Sequence, residues 1–302
     1  MRNAVKVWIS AARPRTLPLS IAGILTGSAI AVVEHTFNWI IFALAIATTL
    51  SFQILSNYAN DYGDGVKGTD NEDRLGPQRA IQSGALTDKA LKKAVIVNAV
   101  IALIMAFLLI SYAFNFENLE ALGIYFALAV LSIVAAIKYT VGKHAYGYSG
   151  LGDLFVFLFF GWVSVIGVFY LYSQSFIFMY FLPATAIGML SVAVLNLNNM
   201  RDRKSDLKAK KMTLAIQLGD QGSKIYHISL ILCSLALMLI FYGFYQLESY
   251  LYLAFIVYVP LMIHMIKVIK NKQPKALDPE LKKVALSCFG FSLIFFICSF
   301  LI

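Results

Sequence analysis

Apolar residues run in blocks of about twenty along the whole chain, broken by short polar stretches. A block of that length matches one bilayer crossing as an α-helix. The breaks predict nine spans, at 16–33, 39–60, 94–114, 119–139, 151–172, 176–199, 225–247, 251–269 and 284–302. The fifth block is rich in Phe, Gly and Val, which periodicity alone cannot separate from strand. Helix is expected there because an open strand leaves its backbone groups unsatisfied in lipid. The expected fold class is all-α: a polytopic membrane protein of nine transmembrane helices, with 1–302 as a single domain.

Composition agrees and excludes an ordinary soluble domain. Of the 302 residues, 60% are hydrophobic and 14% charged, at a mean hydropathy of +0.75, whereas soluble domains carry about a quarter charged residues. In the nine-span reading all 25 Lys and Arg fall on one side, and the opposite loops carry only Glu34, Glu117, Glu120 and Glu248. The positive-inside rule then puts the N-terminus and the basic loops in the cytoplasm and the C-terminus outside. It also absorbs most of the net charge of +9, so no nucleic-acid partner is expected. The arm Arg13-Pro14-Arg15 precedes an apolar run too long for a cleavable signal core. Cys233, Cys288 and Cys298 lie within spans without a CxxC pair and read as packing residues. The four histidines fit no zinc spacing.

Two polar strings stand out against this background. Asn57-Tyr58-Ala59-Asn60-Asp61-Tyr62-Gly63-Asp64 follows the second span, and Asn198-Asn199-Met200-Arg201-Asp202 runs on to Asp206 after the sixth. Residues four apart share a helix face, which pairs Asn57 with Asp61 and Asn60 with Asp64, and lines up Asn198, Asp202 and Asp206. Both rows are expected just past the cytoplasmic helix ends. Carboxylates there are costly unless they meet a polar cavity or a cation. All-oxygen ligands select Mg²⁺, which shares its shell with water and substrate phosphates. Lys67, Arg74 and Arg79 follow the first string, while Arg201, Lys208, Lys210 and Lys211 surround the second, as cations for an anionic substrate. The glycine-rich loop after the first string is long for a mere connection.

These residues resemble the UbiA superfamily of intramembrane aromatic prenyltransferases: Asn60-Asp61-x-x-Asp64 after the second span, and Asp202-x-x-x-Asp206 after the sixth. Many members carry a third Asp where this chain has Gly68, with Asp70 two residues later. That form is similar to the branch acting on 1,4-dihydroxy-2-naphthoate in menaquinone synthesis. Arg13-Pro14-Arg15-Thr16-Leu17-Pro18, Tyr146-Gly147-Tyr148-x-Gly150-Leu151-Gly152-Asp153 and Lys211-x-Thr213-Leu214-Ala215-x-x-Leu218-Gly219 agree with it.

The resemblance implies a UbiA-like prenyltransferase in a bacterial inner or plasma membrane, with a cytoplasmic site. Its substrates would be a polyprenyl diphosphate and dihydroxynaphthoate, prenylated with loss of CO₂. It implies Asn60, Asp61, Asp64, Asp70, Asp202 and Asp206 as Mg²⁺ or diphosphate ligands. Asp64, Asp202 and Lys211 would act in catalysis, with Tyr139 near the reacting allylic carbon. Substrate contacts would come from Arg13, Asn57, Arg74, Arg79, Lys143, Asn198 and Lys208, with Arg13 or Lys143 as holder of the acceptor carboxylate. Alternatives left open are another aromatic acceptor, 4-hydroxybenzoate or homogentisate, and a divalent-cation transporter.

Overall fold

The structure is a computed structural model that describes residues 2–69, 75, 76 and 78–301, with side chains from Val5 onward. Among these residues the regular structure is helical, with no strand. The α-helices are α1 (Arg2–Ala12), α2 (Leu17–Val33), α3 (Trp39–Lys67), α4 (Asp88–Phe114), α5 (Leu119–Lys138), α6 (Gly152–Phe157), α7 (Val168–Ser173), α8 (Phe181–Lys208), α9 (Leu214–Phe244), α10 (Tyr258–Lys270) and α11 (Asp278–Ser299). A π-helical stretch, Leu158–Gly167, joins α6 to α7, and a 3₁₀ stretch, Ser249–Val257, leads into α10. Nine candidate spans are found among the described residues, as the hydrophobic pattern predicts.

The ends differ from the pattern. α3 continues through Lys67 and α8 through Lys208, so both acidic rows lie inside the last helical turns rather than beyond them. α9 starts at Leu214 with a break at Gly219, and α11 starts at Asp278. Hydropathy marks the residues that meet lipid, whereas a formed helix propagates into polar sequence because each further residue adds its own backbone bond.

The chain divides into two compact units. Unit 1 comprises Met1–Leu17, Ala43–Gly152 and Asp202–Thr213. Its apolar core joins Ala11 of α1, Leu55, Tyr58 and Ala59 of α3, and Leu91, Val95 and Ala102 of α4. Trp8 meets Tyr58 edge-on at 5.7 Å, and α4 packs along α5. The turn after α5 comes so close to α3 that a Cβ on Gly63 would lie 2.4 Å from Thr140 Oγ1. The approach is sealed by Thr140, which donates to the Ala59 carbonyl at 3.0 Å.

Unit 2 comprises Pro18–Phe42, Asp153–Arg201 and Leu214–Ile302. Its larger core is built from α2, α8, α9, α10, α11 and the π-helical stretch. At Gly161 a Cβ would stand 2.6 Å from the Ala184 carbonyl, so the π-helical stretch and α8 meet backbone to backbone, the close contact that small residues allow in membrane bundles. Thr26 donates to Ser292 at 2.9 Å, tying α2 to α11. Two histidines 37 residues apart also meet: His227 and His264 Nε2 lie 2.7 Å apart, and His264 Nδ1 lies 2.7 Å from Glu280. Cys288 and Cys298 are buried as expected of packing residues, whereas Cys233 is exposed.

Candidate active site

The acidic ends of α3 and α8 close in the same way. Gly68 takes a left-handed φ of 71°, and the Thr69 amide bonds back to the Asp64 carbonyl at 3.0 Å. In α8, Lys210 takes φ 57°, and the Lys211 amide bonds back to the Asp206 carbonyl at 2.8 Å. This is the Schellman closure, which satisfies carbonyls that a helix end leaves open. Its consequence is positional: Thr69 and Lys211 are folded back over the turns that carry Asp64 and Asp206. Gly68, the residue that departs from the family's aspartate, supplies a backbone conformation that L side chains rarely adopt.

Within unit 1 these closures build one polar cluster. Lys211 Nζ lies 3.9 Å from Asp64 Oδ2 and 3.9 Å from Asp206 Oδ1, so one ammonium bridges the two sequence strings. Tyr148 donates to Asp64 Oδ1 at 2.8 Å and shares a 2.5 Å bond with Thr69, whose hydroxyl is then the donor. Lys67 sits 4.0 Å above the Tyr148 ring and Lys211 sits 5.5 Å from it, a favourable place for a cation. The Met212 amide donates to the Tyr148 carbonyl at 3.0 Å, pinning the segment after α8 to that turn.

Burial disfavours the Lys211 charge, but the Asp64 and Asp206 carboxylates outweigh it and push its pKa up. Lys211 is therefore an ammonium. Burial, then the Asp64 charge, raises the Tyr148 phenol, which stays protonated as a donor.

Asp61, three residues before Asp64, has different company. Arg13 and Arg79 both donate to its Oδ1, Arg79 at 2.9 Å. Arg13 reaches it from the break between α1 and α2. Pro14 disfavours a helical conformation for the residue before it, and Arg13 takes φ 52°, ψ 67°. Such a conformation costs about 1–3 kcal/mol and persists where surroundings hold it; here the ion pair with a buried carboxylate does so.

The other expected site residues divide between the units. Asn57 is spent inside unit 1: it donates to the Ala12 carbonyl at 2.8 Å and to Thr16 at 3.2 Å, and accepts from Gln53. Asn60 Oδ1 lies 3.4 Å from the Thr140 hydroxyl. Asp202 is buried, with 4% of its surface exposed. Tyr139 stands edge-on to Tyr146 at 5.3 Å. Lys143 and Lys208 are exposed. In unit 2, Asn198 accepts from Arg201 at 2.8 Å, and Arg201 is paired with Asp278 at 2.5 Å. Asp70 and Arg74 lie outside the described residues. Sequence reasoning missed Tyr148, Thr69 and Thr140 as site residues. Tyr148 carried a signal, because it lies in a polar Tyr-Gly-Tyr stretch between two spans.

Among the described residues no three His, Cys, Asp or Glu side chains gather as a ready metal cage. The donor set nonetheless fits a hard cation bound jointly with phosphate. Asp64 and Asp206 are each 6% exposed and present carboxylate oxygens beside Lys211, the hard donors that a divalent cation takes.

The sequence pattern of the UbiA prenyltransferase family matches residues 20–294. The chain is 39% identical over 300 residues to 1,4-dihydroxy-2-naphthoate octaprenyltransferase of Escherichia coli, covering 99% of this chain and 96% of that one. It is 41% identical over 289 residues to the Haemophilus influenzae enzyme of the same name, covering 95% and 93%. Among solved structures, one described as digeranylgeranylglyceryl phosphate synthase superposes at a TM-score of 0.61 over 100% of both chains, at 16% identity, which speaks to fold alone. These findings replace the transporter alternative: the chain belongs to the UbiA prenyltransferase family and is a polytopic membrane prenyltransferase.

Proposed function

We propose that this protein transfers a polyprenyl group from its diphosphate to 1,4-dihydroxy-2-naphthoate, in menaquinone synthesis, with Mg²⁺ as cofactor. The observation that carries the diphosphate site is Lys211 bridging Asp64 and Asp206. The choice of acceptor is supported by the near-full-length relatives of that name. The basic loops favour a cytoplasmic site, by the positive-inside rule.

In this reading the allylic C–O bond breaks and the diphosphate leaves with the electron pair. A C–C bond forms at the ring carbon bearing the acceptor's carboxylate. CO₂ then departs, and its bonding pair restores the aromatic ring. Mg²⁺, held by Asp64, Asp202 and Asp206 with Asn60 beside them, would supply charge neutralisation for the departing diphosphate. Lys211, fixed as an ammonium between two carboxylates, supplies a preorganised donor to the same oxygens. Tyr148 and Thr69 hold the Asp64 carboxylate in one orientation. Asp61 is assigned a different task from its expected one as a metal ligand. It anchors Arg13 and Arg79 as a paired guanidinium surface for an anion, either a diphosphate oxygen or the acceptor carboxylate. Asn57 is assigned to the scaffold, locking the end of α1 to α3. Tyr139 remains the candidate to face the allylic cation, which an aromatic face can stabilise.

The test is direct. Purified protein, Mg²⁺, a polyprenyl diphosphate and dihydroxynaphthoate should yield a product whose mass shows prenyl addition and CO₂ loss, and chelation should stop turnover. Transfer to 4-hydroxybenzoate but not to the naphthoate would reject the acceptor. Transfer to neither would reject the reading.

A further inference from the structure

Unit 2 contains a second basic site, unrelated to the acidic strings. Between the end of α10 and the start of α11 lies a cleft of about 530 Å³ lined by Ile263, Ile266, Lys267, Lys270, Asn271 and Glu280, among others. Its volume falls within the range of small-molecule sites, about 300–1,000 Å³. It sits where two candidate spans meet the polar turn between them, Ser249–Lys270 and Pro274–Ser299, the end of a crossing that lipid headgroups surround in a bilayer.

The cleft is amphipathic along its length. Ile263 and Ile266 are more than half exposed and continue an apolar stripe with Val259 and Ile256, suited to an acyl chain. At the other end stand Lys267 and Lys270. The one carboxylate in the lining, Glu280, is already engaged: Lys283 and His264 bond to it, and Lys267 lies 3.7 Å away. Lys267 is still 54% exposed at its side chain, and Lys270 has no ion-pair partner among the described residues. The site therefore carries surplus positive charge. Lys224 donates to the Asn271 carbonyl at 2.7 Å and holds the turn at the cleft's mouth in place.

We infer that this cleft binds an anionic glycerophospholipid, its phosphate on Lys267 and Lys270 and one acyl chain along Ile263 and Ile266. Basic recesses between helix ends at a membrane surface recognise such headgroups, because each lysine adds attraction where the dielectric is low. A zwitterionic lipid would bring an ammonium group against the lysines and lose most of that gain. A free phosphate would leave the isoleucine stripe unused.

Native mass spectrometry of the detergent-purified full chain tests this, with phosphatidylglycerol and phosphatidylcholine of matched chain length. Phosphatidylglycerol should be retained roughly tenfold or more over phosphatidylcholine, the weight of two lysines near a headgroup. The double variant Lys267→Ala/Lys270→Ala should lose that preference, with Glu280 still paired to Lys283 and His264. Lys89→Ala/Lys92→Ala, on α4 in unit 1, should keep it. An excess of inorganic phosphate should not displace the lipid. Equal retention of the two lipids, preference surviving in the Lys267/Lys270 variant, equal loss in the Lys89/Lys92 variant, or displacement by phosphate would each overturn the inference.

Discussion

Asp61 and Asp64 are neighbours on one helix, both buried, yet they meet different cations. Asp61 faces two arginines and is the minority charge in its group. Asp64 shares Lys211 with Asp206 at 3.9 Å and also feels the Lys67 charge, so its cations are ammonium groups rather than guanidinium. A carboxylate bonded by two guanidinium groups has little left for a metal, whereas an ammonium 3.9 Å away is a looser partner that a carboxylate can share with a bound cation. In the proposed reading the motif divides along one turn of helix, with an anion-holding side at Asp61 and a cation-holding side at Asp64.

Substitutions should separate those sides. Asp64→Ala and Asp202→Ala should each cut the initial rate of prenyl transfer on the order of 10³-fold or more while leaving membrane insertion intact. Wild-type-like turnover in either would remove that residue from the metal-facing side. Lys211→Met should lose about 10²-fold, comparable to loss of one preorganised donor, with Lys211→Arg partly active because charge is kept. Tyr148→Phe removes a hydrogen bond to a charged group worth about 1.5–3 kcal/mol, so turnover should fall about tenfold or somewhat more. An unchanged rate would mean that Asp64 needs no such clamp. Gly68→Ala meets no neighbouring atom but must hold a positive φ, so unfolding midpoints should report a loss of about 1–2 kcal/mol.

The spans were legible because lipid imposes a length and an apolar requirement on each crossing, and nine candidate spans appear among the described residues. The acidic strings were legible as a candidate site because carboxylates are rare at such positions. Their different partners were not. Four-residue spacing says that Asn57 and Asp61 share a face, but not that Asn57 spends its amide on Ala12 and Thr16 while Asp61 meets Arg13 and Arg79. Those partners arrive from a bent arm and a distant loop, which periodicity does not encode. The same holds for Gly68: as a missing aspartate it separated two branches of a family, and as backbone it closes α3 and folds Thr69 toward Tyr148. His227 and His264 looked scattered because only the packing of α9 on α10 makes them neighbours.

The decisive measurement is the Mg²⁺ dependence of turnover in Asp61→Asn and Asp64→Asn, each at saturating and at limiting polyprenyl diphosphate and acceptor. Asp64→Asn should move the half-activating Mg²⁺ concentration up by about tenfold or more. Asp61→Asn should leave it within about twofold of wild type and instead raise KM for one of the anionic substrates, as expected when a positioning contact is loosened. If Asp61→Asn shifts the Mg²⁺ midpoint as far as Asp64→Asn does, the two sides are one, and the division proposed for this motif is wrong.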